Sequence, residues 1–221
     1  MIIVFDLDDT LYKEEDFVNS GFRSISIYLE QMYNIPPNGC FSFLIWRLYQ
    51  GRGTIFDDLL KQFGIYSRKR VRECVSVYRN HKPDIYLNPE AESCLKAFEA
   101  FTIYIVTDGN KLVQKNKVIA LGLENRVKSI LITHRYGLKH AKPSPYCFFR
   151  ICELENVTPD RVLYVGDNPN KDFVGIKPFG FKTIRVLQGA YQYLQKEKDF
   201  EAEVQIDSLA RLTPDFINSV F

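Results

Sequence analysis

Three short apolar runs in this chain each stop at acids, and this pattern narrows the possible folds most. Ile2 to Phe5 runs into Asp6-Leu7-Asp8-Asp9-Thr10. Phe101 to Val106 halts at Thr107-Asp108-Gly109-Asn110, and Arg161 to Val165 ends in Gly166-Asp167. Short runs without polar alternation read as strands buried on both faces, the habit of parallel sheets. Segments of helical period lie between and beyond them: Pro89 to Phe98, Lys111 to Leu121, Pro145 to Glu155 and a short one over Lys171 to Pro178. Val127 to Ile132 reads as a further short strand and Phe181 to Val186 as the last one. Alternation of this kind predicts an α/β fold, a doubly wound parallel sheet with helices on both faces. Such a sheet gathers its strand C-termini on one edge, where open α/β sheets bind ligands.

Residues 13–85 follow a different grammar. Phe17, Phe22, Ile25 and Leu29 keep close to helical spacing, Cys40 to Tyr49 and Arg70 to Asn80 continue it, and another helix starts near Thr54. Gly51-Arg52-Gly53 and Gly64 separate these pieces. The chain therefore divides into an α/β core, residues 1–12 and 86–221, and an all-helical domain inserted over residues 13–85.

The 221 residues are 46% hydrophobic and 25% charged, as in soluble globular proteins. A net charge of +2 without a basic run gives no nucleic-acid footprint. No stretch approaches the roughly 20 apolar residues of a membrane helix, and the N-terminal apolar run is too short for a signal peptide. Five cysteines, an odd number with no C-x-x-C pair, read as free thiols of a reducing cytoplasm. Cys147, Cys152 and the histidines at 81, 134 and 140 lack zinc-site spacing. The oligomeric state is not encoded in any of these features.

Chemistry enters with the strand ends. Asp6 and Asp8, two apart, would share a face if the strand continued, and carboxylates that close repel each other. A divalent cation relieves that repulsion, and an oxygen-rich site suits magnesium. The same edge would collect Thr107, Asp108, Asp167 and Asp172, with Lys142 just ahead of a helix. Nucleophilic and proton-transferring carboxylates, a hydroxyl, an ammonium and metal-binding acids form a kit for phosphoryl transfer. Taken singly, Thr107 or Asp108 would be a helix cap, Lys142 a surface lysine and Gly166-Asp167 a turn. Convergence favours the chemical reading. Asp9 and Thr10 read as backbone-bonding turn residues, and His134 and His140 as loop residues. Trp46 reads as helix core, while Arg47, Arg52 and Tyr49 are candidates to face a substrate.

Asp6-Leu7-Asp8-Asp9-Thr10, Thr107, Lys142-Pro143 and Gly166-Asp167-Asn168-Pro169-Asn170-Lys171-Asp172 resemble, in order, the four motifs of the haloacid dehalogenase superfamily. With the helical insertion after the first motif, the chain is similar to subfamily I, which has a Rossmann-like core and a C1-type helical cap. The resemblance implies that Asp6 is a nucleophile forming an aspartyl-phosphate. Asp8 would protonate the leaving group and then activate water. Thr107 and the Asp108 backbone N–H would bind phosphoryl oxygens, and Lys142 would neutralise charge on Asp6 and the phosphate. Asp6, the Asp8 carbonyl and Asp167 would hold Mg2+, with Asp172 orienting the metal shell. The dehalogenase branch lacks a carboxylate at the position of Asp8, so Asp8 favours phosphate chemistry. The implied function is a magnesium-dependent phosphatase of a small phosphorylated metabolite, with the insertion as a lid. A phosphomutase of a sugar phosphate and a non-catalytic module that keeps the fold are the alternatives.

Overall fold

The computed structural model describes residues 1–51 and 53–221, so Arg52, one candidate to face substrate, lies outside the described residues. The chain forms two compact units, residues 1–14 with 86–221, and residues 15–85.

In the first unit, β1 (Ile2–Phe5), β2 (Thr102–Thr107), β3 (Ser129–Ile132), β4 (Val162–Gly166), β5 (Lys182–Val186) and β6 (Val204–Ile206) form one sheet. Its order is β3-β2-β1-β4-β5-β6, with every pairing parallel. This is the doubly wound α/β sheet that the alternation implies. The sixth strand was not foreseen: it is three residues long at the sheet edge, and Gln205 at its centre is exposed. The helix expected over Lys171 to Pro178 is also absent. That stretch is turns followed by a single 3-10 turn, Lys177–Phe179. The backbone at Gly175 instead passes close against Pro143, where an added Cβ would stand 1.6 Å from the carbonyl oxygen.

From β1 the chain winds outward to β2 and β3, then returns to place β4 against the other side of β1. The order reverses at β1/β4, and such reversals open a crevice at the strand C-termini. The central strands are buried throughout, with Ile3, Val4, Phe5, Leu163, Tyr164 and Val165 inaccessible. One face is covered by Cys147, Phe148 and Ile151 of a helix over Tyr146–Glu155. Another helix, Lys111–Ala120, follows the end of β2 after a three-residue turn. Asn110 caps it, its Oδ1 accepting from Leu112 N at 3.0 Å and Val113 N at 3.4 Å. The capping reading of Thr107 and Asp108 is thereby excluded.

Among the described residues the second unit holds four helices, α1 (Glu14–Tyr33, beginning at the boundary), α2 (Pro37–Tyr49), α3 (Ile55–Gln62) and α4 (Arg68–Asn80). Phe22, Ile25, Leu29, Leu44, Leu59, Leu60 and Cys74 form its core. Trp46 is not in that core. It is 56% exposed, and Tyr49 is 78% exposed. Arg47 pairs with Asp58 at 2.8 Å. All five cysteines are free and buried. Among the described residues no helix is long and apolar enough to cross a membrane.

Candidate active site

Asp6 follows β1 and Asp167 follows β4, on either side of the reversal, and the Asp6 N–H donates to Val165 O at 2.8 Å. Asp172 folds back beside them: its Oδ2 accepts from Asn168 N at 2.9 Å. A Cβ on Gly166 would stand 2.6 Å from Asp172 Oδ2, so a side chain at the end of β4 would push that carboxylate out of place. Carboxylate oxygens of Asp6, Asp167 and Asp172 all lie within 4.8 Å of one another, and all three residues are buried.

Lys142 supplies the counter-charge. Its Nζ lies 2.9 Å from Asp6 Oδ1 and 2.8 Å from Asp172 Oδ1, and it donates to the Tyr164 hydroxyl at 2.8 Å. That hydroxyl in turn donates to Asp172 Oδ1 at 3.1 Å. Lys142 in contact and Lys171 at longer range oppose three carboxylates, so negative charge is still in excess. Burial, then the Asp172 and Asp6 charges, push the Asp167 carboxyl up to about 9. Burial raises Asp6 to about 6 against the pull of Lys142, with Asp172 adding to the rise. Burial disfavours the Lys142 charge, but Asp172 and Asp6 outweigh it and hold the ammonium protonated. An oxygen cluster short of positive charge fits a divalent cation.

Asp8 belongs to a second network. Lys117 Nζ lies 2.6 Å from its Oδ1, to which the Tyr12 hydroxyl also donates. Gln114 Nε2 donates to Asp8 Oδ2 at 2.8 Å and to Thr107 Oγ1 at 2.6 Å. Burial favours the neutral acid, but Lys117, with hydrogen bonds from Tyr12 and Gln114, holds the carboxyl below its ordinary value. The repulsion anticipated between Asp6 and Asp8 is therefore not what charges this site. Asp6 is opposed by Asp172, and Asp8 is neutralised separately.

Asp108 ties the loops together. Its Oδ1 accepts from Thr133 Oγ1 at 2.6 Å and from Lys142 N at 3.1 Å, and Lys171 Nζ lies 3.4 Å from its Oδ2. Asp9 is a turn residue, as expected: at φ 51° its Oδ1 accepts from Glu14 N at 2.9 Å and its Oδ2 from Ala190 N at 3.2 Å. Thr10 departs from that expectation, since its buried hydroxyl makes no hydrogen bond among the described residues. His140 stacks on Tyr146 at 3.9 Å, and His134 sits in a 3-10 turn.

Asp6, Asp167, Asp172 and Lys142 thus meet in one network, and Asp8 and Thr107 share another through Gln114. Sequence reading missed Tyr12, Gln114, Lys117, Thr133 and Tyr164. Two of these carried a signal. Gln114 and Lys117 fall in register with Val118 and Leu121 on the buried face of their helix, where a lysine has to have a charged partner. Tyr164 gave none, because a tyrosine inside an apolar strand reads as core.

Comparison with known proteins agrees with this architecture. Residues 1–180 match the family model for haloacid dehalogenase-like hydrolases. A glyceraldehyde 3-phosphate phosphatase of Methanocaldococcus jannaschii is 29% identical over 95% of this chain and 94% of its own. One from Pyrococcus furiosus is also 29% identical, over 96% and 90%. The crystal structure of a 2-haloacid dehalogenase from Pseudomonas syringae superposes with a TM-score of 0.68 at 21% identity, covering 99% of this chain and 98% of that one. With a match over most of its length and the parallel core to accompany it, the chain belongs to the haloacid dehalogenase-like hydrolases.

Proposed function

We propose that this protein is a magnesium-dependent phosphatase that hydrolyses a small phosphorylated metabolite through a phosphoryl group carried on Asp6. It is a phosphoric monoester hydrolase, and relatives named for glyceraldehyde 3-phosphate point to a short phosphorylated carbon chain as substrate. The carrying observation is Lys142 Nζ, 2.9 Å from Asp6 and 2.8 Å from Asp172 at the β1/β4 crevice.

The Asp6 carboxylate attacks phosphorus, and the bond to the ester oxygen breaks as the Asp6–phosphorus bond forms. Asp8, once it has taken up a proton against the pull of Lys117, Tyr12 and Gln114, gives that proton to the departing oxygen. It then takes one from the water that attacks phosphorus, releasing phosphate and restoring Asp6. Lys142 offsets charge on Asp6 and the phosphoryl oxygens, and Thr107 with the Asp108 N–H positions those oxygens. Asp6, the Asp8 carbonyl, Asp167 and Asp172 are the residues that would hold Mg2+, which when bound supplies positive charge to the transferring group. The helical domain of residues 13–85 enters the chain with three residues between it and Asp9, and we read it as the cap that selects the leaving group.

Phosphate release over a metabolite panel, with and without magnesium, tests the reading. Magnesium-dependent release from a short-chain phosphomonoester is expected. An isomerised sugar phosphate without free phosphate would make the protein a mutase instead.

The acid cluster adds a thermal test. A folded-state carboxyl at about 9 keeps a proton that an unfolded carboxyl, at about 3.9, has lost. Its contribution to metal-free stability is full at acid pH and fades as pH rises toward about 9. A cation competes with that same proton, so it binds more tightly as pH rises. The gain in Tm from a fixed magnesium concentration should be larger at about pH 8 than at about pH 6. An equal gain at both would place the metal elsewhere.

A further inference from the structure

Lys117 is the least expected side chain in the α/β unit. Its side chain is 4% exposed, on the core-facing side of a helix. An ammonium buried that deeply is costly without a charged partner. The partner here is Asp8 Oδ1, at 2.6 Å. Three residues earlier on the same helix, Gln114 is buried too, and its amide bridges Asp8 Oδ2 and Thr107 Oγ1 at 2.8 and 2.6 Å. Tyr12 adds a third donor to Asp8. Both oxygens of the Asp8 carboxylate are therefore fixed, and one amide ties its position to that of the Thr107 hydroxyl.

We propose that Lys117 and Gln114 are positioning residues: they hold the Asp8 carboxyl where it serves the leaving oxygen, in register with the hydroxyl that orients the phosphoryl group. The inference rests on the phosphatase reading above. It extends that reading to two residues outside the four motifs, acting from a helix that carries none of the metal-binding acids.

Leaving-group dependence separates this role from a merely structural one. An alkoxide must be protonated as it departs, whereas p-nitrophenolate leaves without a proton. Lys117→Met should lower kcat/KM for glyceraldehyde 3-phosphate by about 10–100-fold, and for p-nitrophenyl phosphate by less than about threefold. In an Asp8→Asn background the same substitution should change neither value further, because Lys117 acts only through Asp8. Gln114→Met, which leaves the ion pair intact but also releases Thr107, should lower both values while costing glyceraldehyde 3-phosphate more, and that excess decides the matter if Lys117→Met does not fold. Equal losses on both esters, no loss on either, or a further loss in the Asp8→Asn background would overturn the inference while the phosphatase reading stands. A wild-type protein that hydrolyses neither ester would overturn both.

Discussion

Asp6→Asn is expected to abolish phosphate release, lowering kcat on the order of 10⁴-fold or more, the scale on which a missing nucleophile is felt. The fold should survive. The wild-type carboxyl is raised to about 6 by burial and the nearby Asp172, so a neutral amide there removes an unfavourable charge. Lys142 keeps Asp172 as its partner at 2.8 Å. The metal-free Tm of the variant should therefore equal or exceed that of wild type near neutral pH. Acid-quench labelling with a ³²P-phosphorylated substrate should tag the wild-type protein and leave the variant blank. Turnover within about tenfold of wild type would move the nucleophile away from Asp6.

Lys142→Met attacks stability as well as rate. It strands two buried carboxylates, Asp6 and Asp172, which are 3% and 1% exposed. Breaking a buried pair by removing one partner costs about 3–5 kcal/mol, or about 6–20 °C in Tm for a domain of this size. The deficit should shrink as pH is lowered to about 5, because protonation of Asp6, already raised to about 6, removes one stranded charge. Activity should fall by about 10²–10³-fold even with saturating magnesium, since the ammonium also serves the phosphoryl oxygens. A variant as stable as wild type and with normal kcat would mean that the Lys142 contacts contribute to neither.

The strands that carry the acids were legible in the sequence because burial on both faces writes itself as an unbroken apolar run. Ile2–Phe5, Thr102–Thr107 and Val162–Gly166 are such runs. Edge strand β6 was not, since a strand paired on one side needs little apolar sequence. The motif acids could be placed at one sheet edge from topology alone. Their division could not: Asp6 and Asp8 are neighbours in sequence, yet the chain turns between them. One then faces Lys142 and the other Lys117. Trp46 was misjudged because helical spacing shows which residues share a face and not which face is buried.

The family match stops at residue 180, but the support of the acid-bearing loops does not. Arg185 Nε donates to Asp167 O at 3.2 Å, its guanidinium anchored on Glu201 at 2.7 Å. Gln188 Nε2 reaches back to Asp9 O at 2.8 Å and Thr10 O at 2.6 Å. A fragment trimmed at the family boundary would carry every motif and lose these struts. Grafting the motif segment onto another scaffold would inherit the reagents without the frame that aims them, so the smallest transplantable version of this protein must extend at least through Glu201.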